Sequence, residues 1–389
     1  MKGSGKQKLS RLLFSFVLVS FLWIGACGPG TGLSPEKVQP VSDHFDGERY
    51  FNPGSSAQIG EGPKRGILGW VWRWIAGADW PEWPEYVDFP LGVPPVERVS
   101  NGNLQITSVG HSTFLIQMDG FNLLTDPIWS DRCSPVSWTG PRRRTRPGIR
   151  LEDLPPIDAV LVSHNHYDHL DLPTLEQLAQ KGVKLALVPL GNRELVRQSG
   201  LPAVDELDWW QSVRLSPDVT VTLVPAQHFS SRTLWDRNRV LWGGFVVSGP
   251  SGNVYFAGDT GYGPHFQEIA RRFAPLRAAL LPISPFQPKS ADRSSDTRLR
   301  VHMRPEEAVQ ACLDLGAPVS IAAHYRVFQL GPDGFDDAVQ GLASTLEKRE
   351  LPTGVFLALN PGQGREWVAP LKPSLVNNQL SNTPVRLTN

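Results

Sequence analysis

"LVSHNHYDHLD", residues 161–171, sets three histidines and two aspartates within eight positions, directly after an apolar run. The 389-residue chain has only nine histidines, so a third of them stand in this stretch. The preceding "IDAVLVS" (157–163) reads as a continuous apolar strand that stops at the first histidine. Side chains at strand ends project into the loops on one edge of a sheet, where sites are assembled. His164 and His166, two apart in such a loop, can converge on one cation. Asp168 and His169, on the next turn, can face a second cation beside it. Neutral imidazole and carboxylate are ligands that suit Zn2+.

Working outward, three more strand-like runs end in the same kind of side chain. "VTLVPAQ" leads to His228, "VYFAG" to Asp259 and "SIAA" to His324. The arrangement assigns His164, His166, His228 and Asp259 to one ion. Asp168, His169, Asp259 and His324 go to the other, with Asp259 as bridge. A lone histidine after a strand is more often hydrogen-bonded structure than a ligand. A cluster is different, because buried polar groups need partners and an ion is a common one.

His302, in "RVHMRPEEAV", stands just before a helix whose first turn holds Pro305, Glu306 and Glu307. It can donate to a phosphoryl oxygen or a leaving group, or it only orders its loop. Asp126 in "LLTDP" and His111 in "VGHST" sit at earlier strand ends. Asp126 can orient the histidines from behind, with turn formation as the competing role.

The rest of the chain sets the frame. With 38 basic and 38 acidic residues, charge offers no reason to expect a nucleic-acid partner. A 40% hydrophobic content with 13 Trp describes a folded protein, and 35 Pro with 36 Gly suggests many short elements joined by turns. Strand-like runs "LQITSVG", "STFLIQM" and "FNLLTDP" precede the histidine cluster, and "KLALVPL" follows it. Helices are expected at "LPTLEQLAQKG" and "NRELVRQSG". A second series, "VTVTLVPAQH", "VLWGGFVVSG", "NVYFAGDTG", "RAALLPI", "VSIAAH" and "GVFLALN", carries helices at 264–273, 305–316 and 334–349. Two strand-rich series, each followed by helices, bury two sheets between outer helix layers.

"MKGSGKQKLSR" and the apolar "LLFSFVLVSFLWIGA" form a processing segment ending at Cys27. Small Gly25 and Ala26 ahead of the cysteine match a bacterial lipobox, and an ordinary signal peptide is the competing reading. Lipidated Cys27 would hold the protein on a membrane of the cell envelope. Gly28 at the next position favours the outer membrane where there are two. Cys133 and Cys312 are expected as free or buried thiols. The expected division is a signal peptide (1–26), a lipidated tether and arm (27–60), the main domain that carries the histidine cluster (61–370) and a tail (371–389). Trp70 and Trp74 fall on a short amphipathic helix that either docks on the core or lines a substrate groove. "GPRRRTRPGIR" (140–150) gathers five arginines, which would attract anionic headgroups or stay solvated.

These residues together resemble the metallo-β-lactamase fold. "SHNHYDHLD" is similar to its HxHxDH hallmark. More narrowly, "LTDPIWSDRCSPVSWTGPRR", "LPPIDAVLVSHNHYDHLD", "ELDWW", "PAQHFSSRTLWDRNRVLWG", "FAGDTGY" and "HMRPEEAV" resemble, in order, the N-acyl-phosphatidylethanolamine-hydrolysing phospholipase D group. The resemblance implies an αββα four-layer sandwich of α+β class, two zinc ions on the ligands named above, and a phospholipid substrate. The reaction it implies gives phosphatidic acid and an N-acylethanolamine. Asp168 and Asp259 could also take a proton from the attacking water, and His302 could steady the departing oxygen. A hydrolase of another ester, such as a lactone or soluble phosphodiester, is the alternative. The segment 287–301 is longer and more polar than the group's pattern.

Overall fold

The computed structural model describes residues 42–53, 80–286 and 301–368, with the backbone of 387–388. From His44 onward these belong to one unit. The leader, Cys27, Trp70, Trp74 and residues 287–300 lie outside the described residues.

Six strands come first: β1 (Leu104–Gly110), β2 (Thr113–Met118), β3 (Phe121–Thr125), β4 (Ala159–Leu161), β5 (Leu185–Pro189) and β6 (Ala203–Leu207). Seven follow: β7 (Ser212–Arg214), β8 (Thr220–Val224), β9 (Gly244–Gly249), β10 (Gly252–Phe256), β11 (Leu276–Pro282), β12 (Ser320–Ala323) and β13 (Phe356–Leu357). Then β14 (Gly364–Trp367) and β15 (Leu387–Thr388) return to the first sheet. Among the described residues the sheets order as β15-β14-β1-β2-β3-β4-β5-β6 and β13-β12-β11-β10-β9-β8-β7. Helices α1 (Leu172–Gln180), α2 (Arg193–Arg197), α3 (His265–Phe273), α4 (Pro305–Leu315) and α5 (Asp337–Lys348) complete the list.

Side-chain alternation builds the layers. Phe114, Ile116 and Met118 of β2 meet Phe245 and Val247 of β9, Phe256 of β10 and Leu280 of β11 between the sheets. Their neighbours in sequence point the other way. Leu115, Val160 and Val188 pack under α1 and α2. Val246, Tyr255, Ala279 and Leu281 pack under α3, α4 and α5. The result is helix, sheet, sheet, helix, the four-layer sandwich expected from the sequence. Because both faces of each sheet are covered, the central strands are buried on both faces and mostly apolar rather than alternating, with buried Gln117 and Asn122 as exceptions.

The strands that the sequence reading missed are at the margins. β6 ("AVDEL") ends one sheet, β7 ("SVR") ends the other, and β14 ("GREW") lies one strand from an end. Charged side chains on such short strands weaken the apolar signal while discouraging pairing with other chains. Helix ends follow local chemistry. α4 starts at Pro305, with the Arg304 amide donating to the Glu307 carboxylate at 2.9 Å, and closes at Gly316 with φ 60°.

Phe245 is fully buried and registers against Leu223 on β8 and Phe256 on β10. A Phe245→Ala variant is expected to lose about 3–5 kcal/mol of stability. The change should be read as a lowered urea midpoint with unchanged slope.

Candidate metal centre

The strands deliver the histidines and aspartates to one edge. β3 and β4 run parallel, as do β10, β11 and β12, and β8 runs with β10 because both are antiparallel to β9. Their carboxyl ends lead into Asp126, the His164–His169 loop, His228, Asp259 and His324. Within that loop the amides of His169 and Leu170 both donate to the His166 carbonyl, so the chain turns tightly between the two pairs of side chains. His111, Asp126 and His324 have φ of 57°, 32° and 63°, a left-handed backbone that costs energy for residues with a Cβ.

Two groups of donor atoms form. In the first, His166 Nδ1 stands 2.8 Å from His164 Nε2 and 3.2 Å from His228 Nε2. The outer nitrogens settle the protons. His228 Nδ1 donates to the Val301 carbonyl at 2.9 Å. Ser163 Oγ gives its hydrogen to Asp126 Oδ2 at 2.6 Å, so His164 Nδ1 donates to Ser163 Oγ at 2.9 Å. Both Nε2 atoms therefore face inward as lone pairs. At most one N–H can lie among the three nitrogens. Nitrogens bound to one tetrahedral zinc at about 2.0–2.1 Å stand about 3.3 Å apart, a spacing this group approaches.

The second group centres on Asp259 Oδ2, which lies 3.1 Å from His324 Nε2 and 3.3 Å from His169 Nε2. Asp168 Oδ2 is 3.1 Å from His324 Nε2 and 3.2 Å from His169 Nε2. Asp259 Oδ2 also reaches toward the first group, 3.8 Å from His228 Nε2. His302 Nδ1 stands 3.7 Å from the same oxygen. His169 Nδ1 donates to Asp126 Oδ2 at 2.7 Å, which again turns Nε2 inward.

The electrostatics ask for positive charge. Burial opposes ionisation of Asp168 and Asp259, but neighbouring imidazoles, His169 foremost, hold both carboxyls well below the usual range. Burial likewise resists protonation of His324, yet Asp259 and Asp168 raise it to about 9. His166 and His228 are pushed down to about 3 and about 4, chiefly by burial. Among the described residues, His169 Nε2 and Asp259 Oδ1 are buried with no hydrogen-bond partner. Two buried carboxylates, inward lone pairs and unpartnered donor-set atoms fit divalent cations, and the imidazole and carboxylate donor set suits zinc.

Every ligand candidate read from the sequence reaches this edge, and His302 lies at its rim with 12% of its side chain exposed. The reading gave His111 no ligand role. Its Nε2 lies 3.0 Å from Asp168 Oδ2, in one group with His169 and His324. The turn "GHS" after an apolar strand was the available signal, since it matches the strand-end pattern of the others. Each of the five arginines of 140–150 has a partner, while Arg142 and Arg150 stay about half exposed. Arg143 is buried and donates to the Ile128 and Ser130 carbonyls. Arg142 pairs with Asp131, Arg144 with the Glu85 carbonyl, Arg146 with Asp88 and Arg150 with Asp153. Cys133 and Cys312 are free and buried. Among the described residues, no helix is long and apolar enough to cross a membrane.

Gly258, at φ 60°, lets the two ligand-bearing edges meet. A Cβ there would come within 2.5 Å of the Ser163 Cβ. A Gly258→Ala variant is expected to push Ser163, and with it His164, out of line. We expect about a tenfold or greater loss of cation affinity, on the scale of a lost supporting contact, read by chelator competition.

Comparison with known proteins agrees with this geometry. A family model described as the beta-lactamase superfamily domain matches residues 121–325. An uncharacterized protein of Mycobacterium tuberculosis is 38% identical over 309 residues, 78% of each chain. N-acyl-phosphatidylethanolamine-hydrolyzing phospholipase D 1 of Caenorhabditis elegans is 33% identical, covering 76% of this chain and 85% of that protein. Among solved structures, the metallo hydrolase Igni18 of Ignicoccus hospitalis superposes with a TM-score of 0.51 at 23% identity, over 68% of this chain and 99% of that one. The chain thus belongs to the beta-lactamase superfamily, as a metal-dependent hydrolase of that fold.

Proposed function

We propose that this hydrolase cleaves a phosphodiester in an N-acyl-phosphatidylethanolamine-type phospholipid, releasing phosphatidic acid and an N-acylethanolamine. Two zinc ions would be held by His164, His166, His228 and Asp259, and by Asp168, His169, Asp259 and His324. The observation that carries the reading is the convergence of both donor groups on the Asp259 carboxylate. The choice of substrate is supported by the 33% identity with the nematode phospholipase D.

When bound, the two cations would supply the charge that makes a nearby water nucleophilic near neutral pH and offsets charge gathering on a phosphoryl oxygen. The chain's own residues do the rest. Asp168 and Asp259, ionised at working pH, can accept the proton of the attacking water. Burial and the imidazoles of His228 and His324 keep His302 neutral, so it offers a hydrogen bond to the departing oxygen rather than a full charge. Asp126 and Val301 hold the tautomers of His169 and His228. In this reading a lipidated Cys27 keeps the domain at an envelope membrane, where the substrate resides. Mass spectrometry of the mature N-terminus is expected to show a diacylglyceryl thioether on Cys27, and an unmodified Cys27 would remove the anchor from the proposal.

The test is a comparison of substrates. Zinc-loaded protein is incubated with N-acylated phosphatidylethanolamine, plain phosphatidylethanolamine and a generic lactone. Phosphatidic acid from the N-acylated lipid is the expected product. Lactone opening with both lipids intact would instead favour a different ester as substrate.

A further inference from the structure

We propose that Asn52, in the arm ahead of the first strand, is a positioning residue for the metal centre, acting through the main chain of His228. The inference rests on the reading of His228 as a cation ligand. Asn52 is buried, and its Nδ2 donates to the His228 carbonyl at 2.8 Å across 176 residues of sequence. Its Oδ1 accepts from Trp242 Nε1 at 3.3 Å, and the same Nε1 donates to the Ala226 carbonyl at 2.9 Å. Asn52 and the fully buried Trp242 thereby grip the chain at His228 and at Ala226, two residues before it.

The grip matters because the local backbone supplies little. Residues 229–241 contain no helix or strand. A connection of this length without regular structure depends on tertiary contacts for its order. The arm supplies several. The Tyr50 amide donates to the Asn238 carbonyl at 2.8 Å, and Glu48 pairs with Arg239 at 2.7 Å. At its other end His44 stacks on Trp209 at 3.9 Å, with Nε2 3.0 Å from Asp208 Oδ1. Asn52 is the arm residue whose described bonds reach a residue of the donor groups. The buried His228 carbonyl requires a donor, and its ring is fixed by the Val301 carbonyl. With Asn52 shortened, the carbonyl loses its partner and the main chain can relax, carrying Nε2 away from His164 and His166.

The experiment uses the full chain and cobalt(II), whose visible absorption reports its ligands. Asn52→Ala is expected to bind cobalt about 10–100-fold more weakly, with an altered spectrum and a lower kcat at unchanged KM. Asn52→Ser, which keeps a shorter donor, should recover part of the affinity. His44→Ala removes the arm's other buried anchor without touching His228. It should lower the thermal midpoint of the metal-free protein while cobalt affinity stays within about twofold of the wild type, well short of the tenfold change expected when a supporting contact is lost. An Asn52→Ala protein that binds cobalt like the wild type would overturn the proposal alone. An equal loss in His44→Ala would overturn it too, by showing a general loosening of the fold. A wild-type chain that binds no cobalt would overturn the reading of the site and this inference with it.

Discussion

An Asp259→Ala variant is expected to lose activity by a factor on the order of a thousand or more, together with bound metal. The magnitude follows from one oxygen serving both donor groups. Asp259 Oδ2 faces His324, His169 and His228 at 3.1, 3.3 and 3.8 Å. Removing it deletes a ligand from each proposed ion and leaves the Asp168 carboxylate to balance both. The metal-free protein should also change, since Asp259 is the main partner raising His324. Elemental analysis after exhaustive dialysis should fall from two ions per chain to one or none, and chelator-treated wild type should match the variant until zinc is returned. Wild-type turnover by Asp259→Ala would end the two-cation reading.

Asp126→Asn should cost about 10–100-fold in cation affinity or turnover although the residue touches no ion in the proposed scheme. The carboxylate accepts from the Ser163 amide at 2.7 Å, the Ser163 hydroxyl at 2.6 Å and His169 Nδ1 at 2.7 Å. An amide has one oxygen, so its NH2 would confront at least one of these donors. If it takes the Oδ2 position it faces both His169 Nδ1 and the Ser163 hydroxyl, and the imidazole relieves the conflict by moving its proton to Nε2, which removes the lone pair it would offer a cation. If it takes the Oδ1 position it confronts the Ser163 main-chain N–H, which cannot reverse, so Ser163 and the adjoining His164 are pushed out of line. Either way the fold survives while a ligand is blocked. Unchanged zinc affinity in a folded Asp126→Asn protein would show that the outer hydrogen bonds do not set these tautomers.

Much of the fold was legible because its signals are local. Apolar runs ending abruptly in His164, His228, Asp259 or His324 mark strands that stop at one edge, and "LPTLEQLAQKG" and "RPEEAVQACLDLG" carry helix starts and glycine stops. The marginal β6 and β14 escaped, since their charged side chains hide the pattern. The partners of the arginines of 140–150 were hidden for a related reason. Charge is visible in sequence, but the carbonyls of Ile128 and Ser130 that occupy Arg143 are not.

Residue order was enough to fix which chemistries are available: imidazoles and carboxylates at strand ends, two strand series, and helices to cover them. Tertiary structure alone decided which nitrogen of each ring faces inward, that His111 joins Asp168, and that Asn52 reaches His228. Strand and helix signals depend on residues a few positions apart. Proton placement and convergence depend largely on distant partners, as with Asp126 and His169, 43 residues apart, or Asn52 and His228, 176 apart. The first separation closes when β3 and β4 pair in one sheet and the second when the arm packs on the chain after β8, and no local pattern encodes either.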